Sequence, residues 1–142
     1  MPGCSPALRQ AAESRELEDV PYIALCDSAQ IKRGGRGFRF VVERDRLTLP
    51  AFVIRHELGV SAFINRCKHR DLELDWTLGD FFDPEGDQLI CATHGARYDP
   101  VDGVCLAGPC AGEALTRLDV VEIGDVVYLS DTRWKLNPQS TV

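Results

Sequence analysis

The sequence predicts an all-β fold, an antiparallel barrel or sandwich, on two observations. From Tyr22 onward, apolar residues fall in short runs rich in Val, Ile, Phe and Tyr, separated by Gly, Pro and Asp, the texture of strands joined by turns. No long segment carries the 3.6-residue apolar period of a helix.

The first nineteen residues are polar, with Ala, Ser and Glu prominent, and predict a flexible tail over 1–19, a short helix being the alternative. Strands follow at "YIAL" (22–25), "FRFVVE" (38–43) and "AFVIR" (51–55). Between the first two lies "KRGGRG" (32–37), which lacks the Gly-Lys-Ser/Thr ending of a phosphate cradle; it predicts a flexible loop. The turn "HELG" follows the third, and His56 there reads as a solvated surface histidine. In "VSAFINR" (60–66), Val60, Ala62 and Ile64 alternate with Ser61, Phe63 and Asn65, a period of two that marks a strand with two different faces.

The later strands are "QLICA" (88–92), "ARYD" closed by "PVDG", "VCLAG" (104–108), and "LDVVEI" with "VVYLS" joined by "GD", a tight hairpin signal. Asp80, Asp83, Glu85 and Asp87 lack the spacing of a calcium loop and predict a solvated connection. One domain over 20–131 and a loosely attached tail over 132–142 complete the organisation.

A chain of 142 residues fits one domain and buries a core without disulfides. Its net charge of -6 argues against bulk neutralisation of phosphates, so no nucleic-acid partner is expected. No apolar run approaches the ~20 residues of a membrane span, and "MPGCSPALRQAAESRELED" lacks the basic start and apolar stretch of a secretory signal. The expectation is a cytoplasmic protein with no membrane association. Its six cysteines then read as metal ligands or thiols.

Two short motifs carry the chemistry. "CKH" places Cys67 and His69 two apart, and "CATH" places Cys91 and His94 three apart, with 21 residues between the motifs. Each follows a strand directly, so two loop tips can present two thiolates and two imidazoles to one point. Zinc fingers commonly pair like with like. Mixed arms suit two metal atoms, because each loop then sends one ligand to each; two Cys on one iron and two His on the other is the Rieske arrangement of a [2Fe–2S] cluster. A structural zinc site is the alternative for the same four donors.

With these motifs, "NRCKHRDLELDW" and "ICATHGARYDPVDGVCLAGP" above all, the chain resembles small soluble Rieske-type ferredoxins from about Tyr22 to Ser130. The resemblance implies an all-β scaffold with a cluster-binding subdomain made of two loops. It implies Cys67 and Cys91 on the inner iron, His69 and His94 on the outer iron, and no catalytic residues. Gly95 lets the chain bend near the sulfurs, where a Cβ would hinder it. Tyr98 matches a tyrosine that hydrogen-bonds a ligand cysteine in respiratory Rieske proteins, its alternative being a plain core aromatic, and the resemblance implies that Pro109 is near the cluster, in the proline-containing loop that covers it. Cys105 and Cys110, flanking "LAGP", read as buried inert thiols.

The chain also departs from its relatives. Lys68 and Asp71 stand where proline and glycine are frequent, without removing a ligand. Leu72 and Thr93 occupy the places of the disulfide that clamps respiratory Rieske clusters, and Ala96 that of a serine donating to bridging sulfur. Fewer donors imply a potential in the lower half of the family span of ~-150 to ~+300 mV, falling further at alkaline pH.

The function implied is a one-electron carrier between redox proteins, a reductase and an oxygenase-like acceptor. Arg66, Lys68 and Arg70 surround the first motif and face either an acidic partner, as a docking patch, or only water. An oxygenase would need a second iron held by two histidines and a carboxylate, and only one of the three histidines is left over. A redox sensor or a non-catalytic subunit of a larger oxidoreductase would use the same site.

Overall fold

The computed structural model describes residues 22–67, 73–75, 77–92, 95–108 and 112–137. Eleven strands are found among them: β1 (Ile23–Asp27), β2 (Phe38–Arg44), β3 (Leu47–His56), β4 (Gly59–Ile64), β5 (Leu89–Ile90), β6 (Arg97–Tyr98), β7 (Cys105–Ala107), β8 (Arg117–Leu118), β9 (Val120–Ile123), β10 (Val126–Leu129) and β11 (Lys135–Leu136). They form three antiparallel sheets, ordered β1-β10-β9, β11-β2-β3-β4-β8 and β5-β6-β7. A single 3-10 turn at Ser28–Gln30 is the helical content of the described residues. The all-β expectation holds.

Hairpin turns set the registers. Arg44 pairs Leu47 around Asp45 and Arg46, with Asp45 at φ 57, the left-handed conformation a two-residue hairpin requires and Asp tolerates. The "GD" turn pairs Ile123 with Val126, with Gly124 at φ 62.

Strands β3 and β4 lie at the middle of the five-stranded sheet, and their alternation separates two cores. Ala51, Val53, Ala62 and Ile64 face one core with Phe40, Val42, Leu118, Val127, Leu129 and Trp134. Phe52, Ile54 and Phe63 face the other, with Leu74, Phe81, Leu89 and Tyr98. Phe52 and Phe81 stack with ring centroids 3.9 Å apart and planes 11° from parallel. This second core seats the β5-β6-β7 subdomain on the sheet, and both motif cysteines are in it.

Three sequence expectations need correction. Where a tail was expected to begin at 132, Trp134 is 6% exposed in the first core and β11 pairs β2 through Lys135–Glu43 and Leu136–Val42; 138–142 lie outside the described residues. His56 is buried: Leu58 N–H donates to its Nδ1 at 3.1 Å, and its Nε2 lies 2.8 Å from Ser61 Oγ. Nor is 32–37 a free loop. Gly34 N–H bonds Arg55 O and Gly37 N–H bonds Gly79 O, and a Cβ on Gly37 would stand 2.8 Å from the Phe81 ring.

Candidate metal centre

Cys67 follows β4 by three residues and Cys91 follows β5 directly. Their side chains are 1% and 0% exposed, sharing the second core with Leu74, Phe81, Ala96 and Tyr98. Neither is in a disulfide. Thiols in so apolar a place are ordinarily inert packing, but a polar partner distinguishes this pair. Tyr98, itself 0% exposed, holds its Oη 3.5 Å from Cys67 Sγ. A thiolate carries no proton, so the phenol is the donor whenever Cys67 is a metal ligand.

The second arm is a tight turn. Gly95 N–H donates to Cys91 O at 2.8 Å, and Cys91 N–H donates to Ala96 O at 2.8 Å. Gly95 has φ 74, a conformation costly for residues with a Cβ. Among the described residues nothing lies within 4 Å of the place its Cβ would take. The backbone angle by itself therefore favours glycine at this position. The chain after β7 packs on this arm: a Cβ on Gly108 would come 3.0 Å from Ala96 Cα. Cys105 in β7 is disulfide-bonded and half-buried, which corrects the reading of a buried thiol.

The first arm is held by polar residues that the motif reading missed. Asn65 is 1% exposed and Asp75 4%. Leu74 N–H donates to Asn65 Oδ1 at 2.8 Å, and Asn65 Nδ2 donates to Asp75 Oδ1 at 2.9 Å. Gly79 N–H donates to Asp75 Oδ2 at 2.9 Å. Arg39 brings its Nε within 2.9 Å of the same oxygen, off the line of a hydrogen bond, and its Nη2 bonds Glu73 at 2.6 Å. The available signal was a polar residue continuing a strand buried on both faces, and an aspartate between apolar neighbours in "ELDW".

Of the acidic residues between the arms, Asp80, Glu85 and Asp87 are exposed as expected, but Asp83 is 7% exposed. Burial opposes its ionisation, yet the Asp87 and Gln88 N–H groups and Arg97 outweigh this and hold its carboxyl below the usual range. Arg97 Nη1 lies 2.7 Å from its Oδ2, tying β6 to the connection.

His69, His94 and Pro109 lie outside the described residues, as do Lys68, Arg70, Leu72, Thr93 and Cys110. Among the described residues no group of three or more metal-donor side chains occurs. The two sulfurs fit a metal–thiolate centre: both are buried, both stand where strands run out into arms, and a buried phenol is turned on one of them.

The site is thus an all-β scaffold with two buried cysteines, Cys67 and Cys91, at the end of one core. The sequence matches the family model of the Rieske [2Fe-2S] domain over residues 22–123, and the chain belongs to this family, whose cofactor is a [2Fe–2S] cluster with two Cys and two His ligands. Its fold is similar to the ferredoxin of carbazole 1,9a-dioxygenase from Nocardioides aromaticivorans IC177, at 24% identity and TM-score 0.59, covering 78% of this chain and 98% of that one. The Sphingomonas yanoikuyae B1 ferredoxin is similar at 22% identity and TM-score 0.58, covering 78% and 99%. Dicamba monooxygenase matches at 20% identity and TM-score 0.56, with 78% of this chain but 33% of that one covered. No curated protein sequence matches the chain.

Proposed function

We propose that this protein is a one-electron carrier whose cluster is held by Cys67 and Cys91 on one iron and His69 and His94 on the other. The observation that carries the reading is the pair of buried sulfurs with Tyr98 turned on Cys67. When bound, the cluster supplies a site that takes up and releases one electron. The chain's own residues do the rest: the second core excludes water from the sulfurs, Tyr98 offers a proton to one of them, and the two arms fix their approach.

A carrier fits better than an oxygenase. The histidine left over, His56, is bonded to Leu58 and Ser61, so these 142 residues do not assemble a second iron site of two histidines and a carboxylate. A related pairing is seen in the complex of reduced oxygenase and oxidized ferredoxin in carbazole 1,9a-dioxygenase. By analogy, the partners here are a reductase as donor and an oxygenase-like acceptor, with no nucleic acid or membrane involved. No helix of the described residues is long and apolar enough to cross a membrane.

Beside Cys67 a groove of about 500 Å³ opens, lined by Arg44, Arg66, Trp134 and Glu113 among others. Two of its side chains are exposed arginines, which suits an acidic partner surface. Stopped-flow kinetics tests the function. Rapid reduction by a flavin-dependent reductase and rapid reoxidation by an oxygenase component are expected, both slowing as salt rises. Reduction that no protein donor accelerates beyond a small-molecule reductant contradicts the assignment.

A further inference from the structure

Both arms are joined by a relay of hydrogen bonds that starts at Asn65. One amide side chain closes the first arm on itself: its oxygen accepts from Leu74 N–H and its nitrogen donates to Asp75 Oδ1. The eight residues between Asn65 and Leu74 include Cys67 and His69, so both donors of the first motif belong to a segment whose ends are stapled by Asn65. Leu74 then reaches the other arm, its carbonyl accepting from Ala92 N–H at 3.1 Å, one residue after Cys91. Asp75 is fixed in turn by Gly79 N–H and the Arg39 guanidinium.

We propose that Asn65 and Asp75 are positioning residues that clamp the two cluster arms together, by hydrogen bonds, in a chain with no cysteines at Leu72 and Thr93. The proposal rests on the ligand assignment above. Every group in the relay is buried or nearly so apart from Ala92 and Arg39, so an unmade bond there leaves a polar group without water, at a cost of about 1–3 kcal/mol. Burial also makes the relay selective: Asn65 alone presents both an acceptor for Leu74 and a donor for a carboxylate.

The test compares the full chain with Asn65→Ala, Asn65→Asp, Asp75→Asn and the exchanged double variant Asn65→Asp/Asp75→Asn. Cluster loss to an iron chelator is followed by visible absorbance, the reduced cluster by electron paramagnetic resonance, and the Leu74, Gly79 and Ala92 amides by hydrogen exchange. Asn65→Ala is expected to lose its cluster about tenfold faster, the factor one buried hydrogen bond represents, with faster exchange at Leu74 and Ala92 and a broadened resonance. Asn65→Asp alone sets two carboxylates face to face and is expected to be at least as impaired. The exchanged pair restores acceptors for Leu74 and Gly79 and a donor between the two side chains, and is expected to recover most of the loss.

Wild-type rates, linewidths and amide exchange in Asn65→Ala overturn the proposal. Should that variant fail to fold, the exchanged pair decides: recovery beyond both single variants supports the clamp, and no recovery overturns it. A wild-type chain that takes up no cluster overturns the ligand assignment instead, and amide exchange in the same variants then decides the clamp by itself.

Discussion

The Tyr98 hydroxyl lies 3.5 Å from Cys67 Sγ, with both residues buried in the core between the five-stranded sheet and the β5-β6-β7 subdomain. Sulfur ligands gain electron density on reduction, so a donor at this place stabilises the reduced form more than the oxidised one. Tyr98→Phe removes the donor and little volume. Its midpoint is expected about 30–60 mV below wild type, for a differential bond energy of about 0.7–1.4 kcal/mol. Protein-film voltammetry of the two proteins measures this directly.

Ala96 is 0% exposed and its carbonyl closes the Cys91 turn, and its methyl side chain has no hydrogen-bond donor to offer a bridging sulfur. The wild-type midpoint is expected in the lower half of the ~-150 to ~+300 mV span. Ala96→Ser is expected to raise it, and a wild-type value in the upper third contradicts the donor-count argument.

His56 supplies a pH dependence whose sign follows from its bonds. Ser61 Oγ donates to Val101 O at 3.0 Å, so His56 Nε2–H donates to Ser61 and neutral Nδ1 accepts from Leu58. Burial first, then the positive charge of Arg117 and Arg55 against the opposing Asp99, holds its pKa below the ordinary value of 6.5. The unfolded chain therefore takes up this proton before the native one does. This contribution to stability is complete above about pH 6.5, declines as pH falls through the folded value, and is level below it. Denaturant unfolding of wild type and His56→Gln across pH 4.5–8 (roughly the window where histidine titrates) checks it. The difference between the two curves is expected to follow this shape, and a difference independent of pH sinks it.

Cys26 is 7% exposed in the first core. Burial, with Asp27 next to it, pushes its thiol pKa up to about 11, so little thiolate exists at neutral pH. Alkylation of the native protein at pH 7.5, read by peptide mass spectrometry, is expected to leave Cys26 unmodified until denaturant is added.

The Phe52–Phe81 stack joins the sheet to the cluster subdomain. Phe81→Ala is expected to destabilise the chain by about 3–5 kcal/mol, the range for a large aromatic removed from a core. Because the cavity opens in the core that holds Cys67 and Cys91, cluster loss is expected to accelerate at the same time.

Strand identity was legible because its signals are local: apolar alternation for β4 and a Gly-Asp turn for β9–β10, and the same reading put Cys67 and Cys91 just past strand ends, where they are buried. What escaped depends on partners distant in the chain. His56 looks like a polar turn residue until Ser61 and Val101 enclose it. "KRGGRG" looks flexible until its glycines meet Gly79, Gly86 and Phe81. Trp134 and β11 sit in a short polar stretch whose burial depends on β2, some ninety residues earlier. Asn65 and Asp75 are within the quoted motif, yet their roles appear only once Leu74 and Ala92 are adjacent. The Cys105 disulfide runs against the reduced-thiol expectation, for nothing in the local sequence distinguishes a bonded cysteine from a packed one.

Electron paramagnetic resonance of the reduced, purified protein tests the central claim most directly. The account predicts the signal of one [2Fe–2S] cluster with hyperfine coupling to two histidine nitrogens, lost in Cys67→Ser and Cys91→Ser. A colourless protein carrying zinc after iron-replete expression, or a cluster signal without nitrogen coupling, would contradict it.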